Sequence, residues 1–180
     1  MKEIRIHARA GQGAITVAAL LGDAVVESGR YAYAFPSFGA ARMGAPMNAF
    51  IRIDEKPIRL RSQVKNPDYL IIIDPTIMQG FDVFSGLNEN GIVIINSPKK
   101  IEPPKNLPKG VKIYNVPGND IAQEILGRPL GNTVTLGAFA KATGEITLEN
   151  LGKAVKRRFS EKIAGKNIEM IKRGYEFVSK

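Results

Sequence analysis

Residues 4–26, IRIHARAGQGAITVAALLGDAVV, carry the reading that decides the fold. Ile4 to Ala8 alternate apolar and polar side chains, the two-residue period of a β-strand, and the Gly11-Gln12-Gly13 turn then leads into a run with helical spacing. From Ala14 to Val26 the helix is apolar almost all round, with Gln12, Thr16, Asp23 and Glu27 in one narrow polar stripe, so most of it is buried. Gly29 is placed to end this helix in a left-handed cap, and Tyr31 to Phe35 resume a short strand. Strand, glycine turn, helix and strand make a βαβ unit.

Working outward, Phe35 to Pro46 holds glycines, prolines and phenylalanines in an order too broken for regular structure. Met47 to Ile53 and Ile58 to Leu60 read as hairpin arms around Asp54-Glu55-Lys56-Pro57. The continuous apolar runs Tyr69 to Ile73 and Ile92 to Ile95 suit parallel strands covered on both faces. A proline-rich loop from Pro98 to Pro108 precedes a strand at Val111 to Val116. Asn119 or Asp120 is placed to cap a helix stopped by Gly127 and Pro129, Asn132 or Thr133 to cap a small-residue helix ending at Gly144, and Thr147 to open the next. A last helix carries Ile163, Ile168, Ile171 and Phe177. The expected architecture is α/β: a mostly parallel, doubly wound Rossmann-like sheet with an inserted β-hairpin and a helical C-terminal third, one domain over residues 1–180. Ligands of such sheets bind outside the carboxyl ends of the strands, which points to the Gly11 turn, the 36–46 loop and the turns after Asp74 and Asn96.

Composition narrows the chemistry. The chain has 180 residues, 26 basic and 17 acidic, for a formal charge of +9. It has no cysteine, which excludes disulfides, thiolate nucleophiles and any iron–sulfur cluster held by this chain alone. One histidine, His7, removes most metal-site and triad geometries. Aromatics are 7% of the residues and do not interleave with Lys or Arg, so the positive charge is not read as a nucleic-acid face. Lys153, Lys156, Arg157 and Arg158 are read as the solvated face of a helix. No apolar stretch is long enough to span a membrane, and no signal-peptide pattern opens the chain, so a cytoplasmic protein without membrane or nucleic-acid partners is expected.

Three groups of residues are candidates for a site. The Ala8-Arg9-Ala10-Gly11-Gln12-Gly13 turn is similar to a dinucleotide fingerprint, but alanines stand where its first two glycines belong. The residues favour a plain structural turn, with amides still able to meet another anion or a neighbouring chain. Arg5, His7 and Arg9 share one face of the first strand, as on an edge strand with a wet face. The long loop places Phe38, Gly39, Arg42, Gly44 and Pro46 outside the βαβ unit, where Arg42 can hold a phosphate or carboxylate through two bonds. Arg52, Arg59 and Arg61, with Ser62, lie on or beside the following hairpin and favour a polyanion or an acidic protein surface. A loop that simply packs on another subunit accounts for the same residues.

The order GQG then helix, FPSFGAARMGAP (35–46), IDEKPIRLRSQV (53–64), NPDYLIIIDP (66–75) and GNTVTLGA (131–138) resembles the gamma subunit of the 2-oxoacid:ferredoxin oxidoreductases, most closely that of the pyruvate enzymes. The resemblance covers at least Ile4 to Ala138. The family's turn usually reads G-x-G-G-Q-G, so Ala8 and Ala10 depart from it. The resemblance implies one subunit of a heterotetramer with alpha, beta and delta-type chains. That enzyme decarboxylates a 2-oxoacid oxidatively to an acyl-coenzyme A and reduces ferredoxin. Thiamine diphosphate, magnesium and the iron–sulfur clusters would sit in partner chains, since this one lacks cysteines and a thiamine–magnesium motif. The residues expected to make ligand or interface contact, with coenzyme A as the ligand, are Gly11, Gln12, Gly13, Phe38, Gly39, Arg42, Gly44 and Pro46, with Arg59, Arg61 and Ser62 as a second basic edge. Pyruvate is the preferred substrate on resemblance; 2-oxoisovalerate, 2-oxoglutarate and arylpyruvates such as indolepyruvate stay open, as do a stand-alone binding module for a nucleotide-like anion and a non-catalytic scaffold.

Overall fold

A computed structural model describes residues 1–37 and 42–178; Phe38 and Gly39 therefore lie outside the described residues. The chain runs β1 (Lys2–Arg9), α1 (Ala14–Glu27), β2 (Tyr31–Ser37), β3 (Pro46–Asp54), β4 (Tyr69–Ile72), a 3-10 turn (Pro75–Gln79), β5 (Ile92–Asn96), β6 (Lys112–Val116), α2 (Gly118–Leu126), α3 (Asn132–Thr143), α4 (Leu148–Arg158) and α5 (Glu161–Val178). The six strands form one sheet in the order β2-β3-β1-β4-β5-β6. β1, β4, β5 and β6 run parallel, and β3 is antiparallel to both β1 and β2. This is the mixed, mostly parallel α/β architecture read from the sequence.

Two expectations about the antiparallel half are corrected. The hairpin partner of β3 is β2, paired from Tyr31 opposite Asp54 to Ser37 opposite Asn48, and not Ile58–Leu60. β1 takes the other edge of β3, so Ile58–Leu60 has no free edge to join and runs as irregular chain. The strand–helix–strand unit survives with β3 inserted between its two strands. Nor is β1 an edge strand. It sits between β3 and β4, and Arg5 and His7 on its supposedly wet face are 8% and 7% exposed.

The two faces of the sheet are wound unequally. Ile4, Ile6, Ile51, Ile53, Ile71 and Ile94 point into one large core that draws residues from all five α-helices. On the opposite face Leu70, Ile72, Val93 and Ile95 pack on Ile77, Val83, Phe84 and Leu87 from the 3-10 turn and the loop after it. Helix ends follow local chemistry. Thr147 accepts from the Asn150 amide at 3.1 Å to cap α4 as expected, and Gly127 and Gly144 end α2 and α3 in left-handed conformation. Asn119 and Asn132 do not cap: Pro117 and Gly131 occupy the N-cap positions, and Asn119 instead accepts from Asn96 and from the Gly131 amide. α3 and α5 cross at backbone contact, where a methyl group on Gly137 would fall inside the Ile171 carbonyl.

Candidate functional site

The sheet order reverses between β1 and β4, and the turns leaving these two strands meet there, the place where wound sheets open a crevice. After β1, Gly11 and Gly13 take φ of 96° and 82°, a left-handed backbone that side chains rarely tolerate. Gln12 closes the turn with its side chain: Oε1 accepts from the Arg9 amide at 2.7 Å, and Nε2 donates to Asp74 Oδ2 at 2.7 Å. Asp74 stands just past β4 and also pairs with Arg9 at 3.3 Å, while its other oxygen accepts from the Thr76 amide and hydroxyl. Burial of this carboxyl works against ionisation, but bonds from Thr76 and Gln12 and the Arg9 charge outweigh it, leaving the Asp74 pKa below the ordinary range. The turn is held by an anion, and its glycines serve geometry.

The end of the central loop joins the same place. Ala10 donates its amide to the Ala45 carbonyl at 2.8 Å and accepts from the Gly44 amide at 3.0 Å, extending the β1–β3 ladder past Arg9 and Pro46. Met43 is 86% exposed and lies over Gly11, with its sulfur 2.5 Å from where a Cβ on Gly11 would stand. Arg42 is exposed beside it. Gly13 is the N-cap of α1 and abuts Asn132, the first residue of α3, so closely that any side chain there would strike the Asn132 amide. The N-termini of α1 and α3 therefore converge, neither capped by a side chain.

Two cavities flank this convergence. One, of about 480 Å³, is lined by Gly11, Gly13 and Asn132 together with Arg128, Lys162 and Lys166. None of these three cations is in an ion pair among the described residues. A smaller one, of about 240 Å³, lies between Gln12, Asp74, Asn96, Asn119 and Asn132. Two helix N-termini and three cations around one cavity make it electropositive.

Of the residues singled out by sequence, Gly11, Gln12, Gly13, Arg42, Gly44 and Pro46 come together here. Arg59, Arg61 and Ser62 do not: they follow β3 along the aromatic side of β2, where Arg61 lies 4.0 Å from the centre of the Tyr33 ring. Arg52 does not converge with them as a free cation, because it is 1% exposed and bonded to Glu3 at 2.6 Å. Sequence reasoning reached the turns after Asp74 and Asn96 by position alone and missed Arg128, Lys162 and Lys166. The 162/166 spacing puts both lysines on one face of α5, a signal shared by any solvated helix face.

The pyruvate ferredoxin/flavodoxin oxidoreductase family matches residues 3–177. The chain belongs to that family. It is 45% identical over 180 residues, all of this chain and 97% of the relative, to pyruvate synthase subunit PorC of Methanothermobacter thermautotrophicus. It is 44% identical, over 98% of this chain and 96% of the relative, to the common gamma subunit of the pyruvate/ketoisovalerate oxidoreductases of Pyrococcus furiosus. The crystal structure of the pyruvate oxidoreductase subunit PORC of Thermotoga maritima superposes with a TM-score of 0.84 at 39% identity, covering 97% of this chain and 95% of that one. The chain is thus a gamma subunit of a 2-oxoacid:ferredoxin oxidoreductase, one part of a multi-subunit enzyme. No helix among the described residues is long and apolar enough to cross a membrane.

Proposed function

We propose that this gamma subunit holds coenzyme A for a pyruvate:ferredoxin oxidoreductase, which converts pyruvate, coenzyme A and two oxidised ferredoxins to acetyl-coenzyme A, CO2, a proton and two reduced ferredoxins. The observation that carries the proposal is the cavity between the two helix N-termini and Arg128, Lys162 and Lys166. Its cations meet the phosphates, and its apolar wall, with Leu126 and Phe159, meets the nucleoside. Arg42, whose carbonyl accepts from the Ala45 amide beside the Gly11 turn, is assigned a planar two-bond contact to the same ligand.

The chain's own residues do not fit the redox cofactors. It has no cysteine, and no cluster of metal-ligating side chains forms among the described residues. Thiamine diphosphate, magnesium and iron–sulfur clusters are accordingly assigned to alpha, beta and delta-type partner chains, with ferredoxin reached through the complex. This subunit binds and orients coenzyme A and packs those chains together. Selection of the 2-oxoacid is assigned to the partners, a reading supported by the Pyrococcus gamma subunit, whose name makes it common to two oxidoreductases.

The test is steady-state kinetics of the assembled enzyme. Replacing Lys162 and Lys166 together with Gln should raise KM for coenzyme A about tenfold, ~1.4 kcal/mol, with KM for pyruvate nearly unchanged. Arg42→Lys keeps the charge but loses the planar fork, and should raise the same constant about fivefold or more. Coenzyme A constants unchanged in both variants would leave the subunit as a scaffold.

A further inference from the structure

Arg5 and Arg52 are both buried arginines on the face of the sheet without α-helices, and among the described residues only Arg52 is in an ion pair. Arg52 is bonded to the Glu3 carboxylate at 2.6 Å. Among the described residues Arg5 is bonded to neutral acceptors alone: Nη2 donates to the carbonyls of Val83 at 3.1 Å and Ser85 at 2.5 Å, and Nε donates to His7 Nε2 at 3.1 Å. A ring that accepts at Nε2 is the uncharged tautomer protonated at Nδ1. Burial, and then the charge of Arg5, push the His7 pKa down to about 3, so the ring stays neutral. Asp82 attracts Arg5 but forms no ion pair with it, and its Oδ1 already accepts from the Phe84 amide at 3.1 Å. A cation taken out of water without a partner is costly, and the interior normally supplies one.

The third nitrogen of the guanidinium has a different environment. Nη1 of Arg5 makes no hydrogen bond among the described residues, yet no fully buried side-chain nitrogen or oxygen among them lacks a partner. Nη1 therefore opens to accessible space, and that space is a cavity of about 460 Å³ lined by Arg5 and His7, by the polar side chains of Ser37 and Asn48, and by Phe81 and Asp82. Phe81 is 59% exposed. A buried cation, two neutral polar groups and apolar surface in one cavity suit a small anionic group with an apolar attachment.

We propose that this cavity is a carboxylate-binding site in which Arg5 Nη1 holds the anion, Asn48 and Ser37 add donors, and His7 fixes the guanidinium as a positioning residue. The carboxylate belongs either to a free small molecule or to an acidic side chain inserted by a partner subunit. Asp82, on the cavity wall, disfavours dianions and limits the site to one carboxylate. The site does not rest on the coenzyme A reading, since it lies on the opposite side of the sheet from the helices that line that cavity.

His7 is the chain's only histidine, so its ring signals report on this cavity without assignment. Acetate titrated into the full chain at pH 7, against chloride at equal ionic strength, should shift the labelled ring signals saturably while chloride does not. Asn48→Ala should weaken the acetate response at least fivefold, and Arg5→Lys should abolish it. Asn48→Ala keeps the test open where the Arg5 variant does not fold. The labelled chain assembled with unlabelled partner subunits separates the sources. Loss of the acetate response on assembly assigns the carboxylate to a partner side chain, and its persistence assigns it to a free small molecule. Ring signals that move with neither acetate nor assembly, or that respond equally to chloride, overturn the proposal.

Discussion

On one face of the sheet Ile4, Ile6, Ile51 and Ile53 project from β1 and β3 into a core shared by five helices. On the other, Arg5, His7, Asn48, Phe50 and Arg52 project from the same two strands beneath irregular chain, with Arg52 donating to the Leu60 carbonyl and Arg5 to those of Val83 and Ser85. The alternation of a strand delivers both sets from one stretch of sequence. The first face gains its stability from area removed from water and is indifferent to pH. The second depends on charges being matched, and fails wherever one is left alone.

That contrast can be broken in four ways. The largest effect belongs to the helix face: Phe139 is fully buried and meets Tyr69 edge-on at 5.5 Å, so Phe139→Ala should cost ~3–5 kcal/mol in urea unfolding. Next, Glu3→Gln leaves Arg52 buried without an anion and should cost ~2–3 kcal/mol, less than a fully buried pair because Glu3 is 20% exposed.

Third, His7 gives the charged face a pH dependence that the helix face lacks. Its pKa is about 3 in the fold against 6.5 in the open chain, so the neutral ring contributes stability above pH 6.5 that is lost as pH falls toward 3. Arg5 disfavours the proton, hydrogen bonds with Val83 and Asn48 favour it, and Asp82 is the carboxylate that lines the same cavity among the described residues. Unfolding free energy should drop by about 2 kcal/mol between pH 7 and pH 5, and His7→Gln should flatten that limb. Asp74, also depressed, loses its contribution only at lower pH and leaves this window clear. Smallest of all, Asp82→Asn should change stability by less than ~1 kcal/mol, because it attracts Arg5 without pairing. A loss as large as that of Glu3→Gln would make Asp82 the missing partner of Arg5 and erase the asymmetry.

What the sequence reveals of this molecule follows the range of the interaction. Tyr69–Ile73 and Ile92–Ile95 announce parallel strands because burial on both faces removes every polar residue within a few positions. Thr147, Gly127 and Gly144 announce helix ends because capping is local. The partner of β3 is not local: Tyr31–Phe35 and Ile58–Leu60 both read as short strands, and only the occupied edge on β1 decides between them. The burial of Arg5 depends on Val83 and Ser85, nearly eighty positions away. At the candidate site, the Gly11 turn and the Gly44–Pro46 end of the loop were legible, because glycine spacing and loop length lie in one short window. Lys162 and Lys166 were not, since they reach that turn from the far end of the chain and look like any solvated helix face.

The central claim is that the convergence of the Gly11 turn, the α1 and α3 N-termini and the Arg128, Lys162 and Lys166 side chains is a coenzyme A site carried by this subunit. Isothermal titration of coenzyme A into the full chain tests it most directly, beside the same titration of the Lys162→Gln, Lys166→Gln double variant. The account predicts saturable one-to-one binding that weakens about tenfold in the variant and falls with rising salt. No saturable heat with the unaltered chain, or identical binding by the variant, would contradict it.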